Sequence, residues 1–386
     1  MIKNLLITNC RLFNSLQDEK TVDILIKDGA ITQIGKVEKN FTCENILDAQ
    51  DRIIAPGFID VHIHGAGGAS VVDGTIESLR TISKTCACFG TTSFLGTDMF
   101  KPNMQNRWLA VASEAVGSDL GGANLLGVHL EGPFISLEKK GMILPECMCA
   151  PSLRVLNEIK RIAGANLKMM TIAPELNGSL DIIRNLVDSK IIASFGHSNA
   201  LYSEALKGID AGISHVTHLF NAMRSFHHRE PGPLLAIFET EKISVQIIPD
   251  GVHFHPSVLK FLFKIIGGER CIAIADGMQP IGLADGIYIY NGIEYESKGG
   301  TARYRDDTLM GTALGLSQLV LRLKEFTNTS LDVAIKTVTE NPAKLLGIEN
   351  RKGSIAVGKD ADLVILDNDY SVWATVVGGK IVFQKP

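Results

Sequence analysis

Eight short apolar runs recur along the middle of the chain and constrain its fold more than any other feature. Each run is almost continuously apolar, as expected for a strand that is buried on both faces. Segments with helical character separate most of them, although the helix after the sixth run is weak. The runs are "GFIDVHIHG", "TTSFLGTDM", "ANLLGVHLEGPF", "LKMMTIAPE", "KIIASFGHSNA", "GISHVTHLFNAM", "ISVQIIPDGVH" and "CIAIADGM".

This alternation predicts an α/β fold, a (β/α)8 barrel of the TIM type. A doubly wound open sheet is the structural alternative. Strand-like segments also occupy both ends of the chain, and Asp28-Gly29 is a hairpin signal between two of them. Each terminal segment is too small to fold alone. We therefore predict one small β domain, built from residues 1–55 and 348–386, beside a barrel domain of residues 56–347.

Composition excludes several classes of protein. The chain has 386 residues, a net charge of −4 and a pI of about 6.2, which give no reason to expect nucleic acid or an anionic membrane as a partner. No N-terminal signal peptide and no membrane-spanning run are expected, because no sufficiently long apolar segment occurs. The seven cysteines are scattered without a CxxC pair, so we predict a cytoplasmic location.

Two histidines, His62 and His64, end the first run with one residue between them. Residues two apart on a strand face the same side. At the carboxyl end of a barrel strand, where active sites lie, two imidazoles with nearby carboxylates make a metal site. The alternative is a pair of hydrogen-bonded histidines that simply ends a strand.

Polar side chains at the ends of other runs favour the metal site. The chain has ten histidines, and at least five of them lie on the predicted catalytic rim. Histidines placed in a core by chance would not prefer the carboxyl ends of strands. The remaining candidates on this rim are Glu131, His197, His218, His253 and Asp276.

Several motifs occur in a fixed order over nearly the whole chain: "PGFIDVHIHG", "HLEGPF", "GHS", "HLFNAM", "REPG", "DGVH" and "KGSIAVGKDADLVILD". In this order the chain resembles the N-acetylglucosamine-6-phosphate deacetylase family of the amidohydrolase superfamily. "HLEGPF" together with "HLFNAM" is specific to that family, whereas PGFID-HxH marks only the superfamily. The resemblance implies a (β/α)8 barrel with a small β-sandwich built from both termini. It also implies a homodimer, with a phosphate contact that crosses the interface as one option.

The resemblance further implies a divalent metal cofactor, one or two ions per chain. Zinc is the first choice, with iron, manganese, cobalt and nickel as alternatives. Glu131, His197 and His218 match the ligands common to the family. His62 and His64 match the pair that holds a second metal, with Glu131 as the bridge.

The implied reaction is hydrolysis of an acetamide by metal-bound hydroxide, with Asp276 as general base and then general acid. The small-molecule substrate is a sugar phosphate. Arg229 matches the phosphate-binding arginine, and Leu309 to Gly311 match a loop that closes over the substrate. The complete set of implied substrate-binding residues is Met142, Asn221, Ala222, Arg229, His253, Leu309, Met310 and Gly311.

One position departs from the family pattern. Ile143, in "KKGMILPECMC", stands where family members carry a histidine that helps to polarise the substrate carbonyl. This departure has three alternative explanations. A second metal polarises the carbonyl, His227 or His228 reaches the site, or the preferred substrate differs. Cys147 and Cys149 have no counterpart in the pattern, and we interpret them as small, partly buried residues of a mobile loop.

The leading hypothesis is hydrolysis of N-acetylglucosamine 6-phosphate to glucosamine 6-phosphate and acetate. The galactosamine epimer or another N-acyl sugar phosphate is the nearest alternative. A cyclic-amide hydrolase would need a lysine at the end of the fourth run, but Lys168 lies near its start. A catalytically inactive sugar-phosphate sensor would not need the proton shuttle that Asp276 offers.

Overall fold

The structure, a computed structural model, describes residues 4–16, 20–37 and 45–386; Cys43, one of the seven cysteines, lies outside these ranges. The N-terminal part forms strands β1 (Leu5–Leu12), β2 (Val22–Lys27), β3 (Ala30–Gly35), β4 (Asn45–Asp48) and β5 (Ile53–Pro56). Strands β2 and β3 pair antiparallel through Asp28 and Gly29, whose φ angles are 49° and 80°. Positive φ at both central residues suits a tight hairpin turn, so this predicted hairpin is confirmed.

The middle of the chain alternates strands and helices. Its strands are β6 (Phe58–Ile63), β7 (Gly65–Ala66), β8 (Ala69–Ser70), β9 (Thr91–Asp98), β10 (Asn124–Glu131), β11 (Leu167–Ile172), β12 (Ile192–Phe195), β13 (His215–Val216), β14 (Ser244–Ile247) and β15 (Cys271–Ala273). Its helices are α1 (Ile76–Cys88), α2 (Arg107–Ala115), α3 (Leu153–Ala163), α4 (Ser179–Asp188), α5 (Tyr202–Asp210), α6 (Gly232–Glu239) and α7 (Pro256–Ile266). Each of the eight predicted runs contains one strand of a single parallel sheet, in the order β6-β9-β10-β11-β12-β13-β14-β15.

The two edge strands of this sheet come together and nearly close it into a barrel. The Asp276 backbone N–H donates to the His62 carbonyl at 3.0 Å, and the Gly277 carbonyl accepts from the N–H groups of His64 and Gly65 at 2.9 Å each. Every residue of β6 and β9 is buried, as expected for strands covered on both faces. The (β/α)8 prediction is therefore confirmed, and the open sheet is excluded.

A four-stranded antiparallel sheet follows the eighth barrel strand and was not predicted. It consists of β16 (Gly286–Tyr290), β17 (Ile293–Lys298), β18 (Thr301–Tyr304) and β19 (Leu309–Thr312). Asn291-Gly292 and Gly299-Gly300 connect its first three strands, and both pairs are strong hairpin signals. Leu309 to Gly311 thus lie in a strand, not in the predicted loop, because β19 pairs with β18.

The C-terminal part adds α8 (Leu316–Thr327), α9 (Leu331–Lys336), α10 (Glu340–Leu345), β20 (Leu363–Leu366), β21 (Val372–Val377) and β22 (Lys380–Gln384). The last three strands join those of the N-terminus in one mixed sheet, in the order β22-β21-β20-β5-β1-β2-β3, with β4 also paired to β1. Ile7 and Ile24 share an apolar cluster with Ile365 and Val376, so both termini build one core. The domain boundaries stay a prediction. Among the described helices, none has the length and apolar character needed to cross a membrane.

Candidate metal centre

Six buried side chains converge at the carboxyl ends of the barrel strands. Each contributes one potential metal-binding atom, and the atoms of each group lie within 4.8 Å of one another. Because parallel strands end on the same side of the sheet, positions far apart in the chain meet here. The first group is His62, His64 and Asp276, and the second is Glu131, His197 and His218.

A bulge in the first barrel strand orients the two histidines. The pairing of β6 with β9 changes register between Asp60 and Ile63, and such a bulge re-aims the side chains around it. Asp60 Oδ1 stabilises this segment by accepting from the backbone N–H of His62 at 3.2 Å and from that of Ala275 at 3.4 Å. The carboxylate therefore ties the bulge to the segment directly after the eighth strand, and His62 and His64 face the same centre.

Three of the six residues have unusual backbone angles. His197, His218 and Asp276 have φ angles of 46°, 24° and 45°, in or near the left-handed region that residues other than glycine rarely adopt. Each follows the end of a barrel strand within three residues. Strain of this kind persists where the surrounding structure enforces it, and it is common at functional sites.

Glu131 contacts both groups. Its Oε1 lies 2.9 Å from His218 Nε2 and 3.0 Å from His197 Nε2. Its Oε2 lies 3.5 Å from His64 Nε2. One carboxylate thus faces both sets of nitrogen atoms, which is the position that a bridging ligand requires.

Hydrogen bonds to the imidazole rings of His62 and His197 determine which ring nitrogen is available to bind a metal. His62 Nδ1 lies 3.0 Å from Gln246 Oε1, and His197 Nδ1 lies 2.8 Å from the Lys139 carbonyl. Both partners are acceptors, so each Nδ1 carries the proton and each Nε2 keeps a lone pair directed into the centre. Metal-binding histidines are typically held in this way.

The electrostatics of the centre favour a cation. Burial opposes the charged form of His64, yet Asp276 and Glu131 raise its pKa to about 9. Burial likewise opposes the charged form of His218, whose pKa is raised by Glu131. The histidine Nε2 atoms are 3.2 Å apart in the first group and 3.0 Å apart in the second. Converging nitrogen and carboxylate donors of this kind fit a divalent metal.

Two neighbouring histidines favour the ionised form of Asp276. Burial alone would raise its pKa, but the neighbouring His62 and His64 lower it. Its Oδ1 lies 3.4 Å from His62 Nε2 and 3.5 Å from His64 Nε2. The group can therefore accept a proton within the candidate metal centre.

A cavity of about 210 Å³ adjoins the centre. His253, one of its lining residues, is oriented by Asp250, whose Oδ2 lies 2.6 Å from His253 Nδ1. Four of the six clustered residues border the cavity: Glu131, His197, His218 and Asp276. The others are Gly141, Met142, Asn221, Ala222, His253, Thr308, Leu309 and Met310.

Two predicted substrate-binding residues lie outside this lining. Arg229 is exposed, and its Nη1 lies 2.9 Å from His228 Nε2 in the loop before α6. Gly311 is buried in β19 beside Asp276 and contributes no surface to the cavity. Arg229 therefore does not border the cavity of its own chain.

Ile143 does not line the cavity. It is fully buried in an apolar cluster with Met99 and Met278, while the preceding Met142 lines the cavity. His227 and His228 are exposed and absent from the lining. In this structure neither histidine occupies the place of the missing family histidine.

Sequence reasoning missed three polar residues around the centre. Gln246 is a single amide within the apolar run "ISVQIIPDGVH", and Asp250 follows the same run. Asp98 ends the second run, "TTSFLGTDM", in the same kind of position that identified the other rim residues. A polar residue within a buried strand or at its end is the sequence feature that could have identified all three.

A barrel with buried histidines and carboxylates at the carboxyl ends of its strands is the architecture of metal-dependent hydrolases. The chain belongs to the amidohydrolase family, whose model matches residues 53–382. This family is metal-dependent.

The relatives extend over the whole chain. The N-acetylglucosamine-6-phosphate deacetylase of Bacillus subtilis (strain 168) is 38% identical over 391 residues, covering 99% of this chain and 98% of the relative. The N-acetylgalactosamine-6-phosphate deacetylase of Escherichia coli O157:H7 is 30% identical over 358 residues, covering 92% of this chain and 93% of the relative. The resemblance inferred from the motifs is confirmed.

A solved structure has the same fold. It is a mutant N-acetyl-D-glucosamine-6-phosphate deacetylase from Mycobacterium smegmatis in complex with N-acetyl-D-glucosamine-6-phosphate. The TM-score is 0.89 at 28% sequence identity, and the match covers 99% of this chain and 100% of that chain.

Proposed function

We propose that this chain removes the acetyl group of N-acetylglucosamine 6-phosphate, giving glucosamine 6-phosphate and acetate. The observation that carries the proposal is the six-residue centre beside a cavity, in a chain 38% identical along its length to a deacetylase of that substrate. The galactosamine epimer is the second candidate, because a relative that acts on it is 30% identical.

The two groups of donors are proposed to hold one or two divalent metals. Imidazole and carboxylate donors suit zinc, and also iron, manganese, cobalt or nickel. When bound, such a metal supplies Lewis acidity, which polarises an amide carbonyl and makes a water molecule acidic near neutral pH. Ile143 cannot donate a hydrogen bond and does not line the cavity, so a metal held by His62, His64 and Asp276 would supply the Lewis acidity that polarises the substrate carbonyl.

The proton transfers are assigned to Asp276. As an ionised carboxylate it can take a proton from the attacking water, and as an acid it can then protonate the departing nitrogen. An amine leaves poorly without that proton, so the second step needs an acid at this position. Asn221, Ala222 and His253 line the cavity and are proposed to bind the sugar phosphate.

An assay of acetate release from both 6-phosphate epimers tests the proposal. The metal content is measured on the same sample, and unphosphorylated N-acetylglucosamine is the control. We expect the highest kcat/KM on the glucosamine derivative, loss of activity on chelation, and recovery when a divalent metal is restored. A preference for the galactosamine derivative would establish the second candidate, and no acetate from either substrate with metal-loaded protein would contradict both.

We also propose a cytoplasmic homodimer. The resemblance implies the dimer, and the β16 strand exposes Ile287 at 65% and Ile289 at 58%, which is consistent with a protein contact. The cysteines among the described residues are free thiols, in keeping with a reducing compartment. Light scattering of the purified protein measures the dimer directly, and a monomeric mass would exclude it.

A further inference from the structure

Asp98 is a buried carboxylate that the mechanism above does not use. It ends β9 and is 1% exposed. Its Oδ1 accepts hydrogen bonds from the Met99 backbone N–H at 2.7 Å and from the Tyr290 hydroxyl at 2.9 Å. Its Oδ2 is buried and has no hydrogen-bond partner within the described part of the chain.

His64 has a matching unpaired atom. Its Nδ1 is buried without a partner among the described residues, whereas the Nδ1 atoms of His62 and His197 each have an acceptor. The ring of Tyr290, which bonds Asp98, also packs edge-on against His64, with centroids 6.3 Å apart and planes at 77°. A buried donor or acceptor left unpaired is unfavourable, so two such atoms in one neighbourhood favour a pairing.

We propose that Asp98 is a positioning residue for His64. Its Oδ2 accepts the Nδ1–H of His64, directly or through one water molecule, while Tyr290 holds the carboxylate from β16. This contact keeps the proton on Nδ1 and leaves His64 Nε2 free and directed at the metal site. The inference rests on the proposed function, because it requires His64 to be a metal ligand.

Replacing Asp98 by Asn should reverse the preferred tautomer of His64. The Met99 N–H and the Tyr290 hydroxyl keep an oxygen at the Oδ1 position, so the amide NH₂ must occupy the Oδ2 position. That NH₂ group is a donor and favours a lone pair on Nδ1, which moves the ring proton to Nε2. Loss of such an outer partner typically lowers metal affinity ~10–100-fold.

The test is metal affinity, measured on the purified full chain by competition with a chelator while the bound metal is counted. We expect Asp98→Asn to weaken one of two bound metals by ~10–100-fold, and Tyr290→Phe to weaken it less. Tyr295→Phe is the matched control, because Tyr295 is a buried tyrosine of the same small sheet whose hydroxyl bonds Gln279 instead, at 3.1 Å. We expect this control to retain the affinity of the unaltered protein.

A double-mutant cycle with His64→Asn separates positioning from a merely structural role. Without the His64 ring, Asp98→Asn should cause no further loss of metal. Unchanged affinity in Asp98→Asn, or an equal loss with and without His64, would overturn the inference while leaving the metal site intact. If His64→Asn itself left both the count and the affinity of the metals unchanged, the ligand assignment would fail, and this inference with it.

Discussion

At the scale of single residues, Asp276 carries the assigned proton transfers. Asp276→Asn keeps the shape of the side chain but cannot shuttle a proton. General acid–base catalysis contributes ~10²–10⁴-fold, so kcat should fall by a factor of ~10² or more. The variant should still contain bound metal. The measurement is steady-state acetate release at saturating substrate. A variant that retained more than about a tenth of the original kcat would place the shuttle on another residue.

His62 and His64 are the proposed ligands of a second metal. If they are ligands, the fully loaded protein should contain close to two metals, and the double change to Asn should reduce this number towards one. Metal analysis after dialysis against buffered metal provides the measurement. His215→Asn is the control, since His215 is equally buried but bonds Ser244 and belongs to neither group. Equal metal content and equal activity in the unaltered protein, the double variant and the control would show that His62 and His64 are not metal ligands.

At the scale of elements, strand β19 packs against the backbone of Asp276, the residue proposed to transfer protons. The Thr312 backbone N–H donates to the Asp276 carbonyl at 2.9 Å, and a Cβ added at Gly311 would overlap that same carbonyl oxygen. Only a residue without a side chain allows this close approach.

Gly311→Ala should therefore displace Asp276 and lower kcat, with a loss of ~1–3 kcal/mol in the free energy of unfolding, as overpacking typically causes. Activity and chemical denaturation of the same preparation provide the measurements. Gly286→Ala is the matched control in the same small sheet, because its new Cβ would meet nothing closer than 3.8 Å. If the two alanine variants behaved alike, the close approach of β19 would have no role in catalysis.

At the scale of the whole molecule, Arg229 raises the question of which chain supplies the phosphate contact. A charge-assisted hydrogen bond is worth ~1.5–3 kcal/mol, or roughly 10–150-fold in kcat/KM. Arg229→Ala should lose about that factor on the 6-phosphate substrate and little on unphosphorylated N-acetylglucosamine. Equal losses on both substrates would indicate a general defect and defeat the assignment.

Because Arg229 is exposed and lies outside its own cavity, we expect it to act across the dimer. A mixed dimer consists of one Arg229→Ala subunit and one Asp276→Asn subunit. If the arginine acts across the dimer, one of its two sites then combines an unaltered Asp276 with an unaltered Arg229 from the partner. Mixing the two variants under subunit exchange should restore activity above that of either parent. If the arginine acts within its own chain, each site of the mixed dimer lacks one residue, and no gain will appear.

Much of the fold and of the centre could be predicted from the sequence. The strand patterns are local, and parallel barrel strands end on one side, so polar residues at strand ends had to meet there. That rule identified His62, His64, Glu131, His197 and Asp276. It also applies to Asp98, which ends the second run but belongs to none of the family motifs.

Other features were decided only by the tertiary structure. Gln246 orients His62 across 184 positions of sequence, and Asp98 pairs with Tyr290 across 192. The burial of Ile143 in an apolar cluster depends on a small sheet that forms later in the chain and contributes Tyr290 and Tyr295 to that cluster. The sequence by itself determined the barrel and its ring of candidate ligands, because periodicity and strand ends are local properties. The partners that orient those ligands were decided by packing, because a hydrogen bond depends on distances that the chain acquires only when remote segments come together.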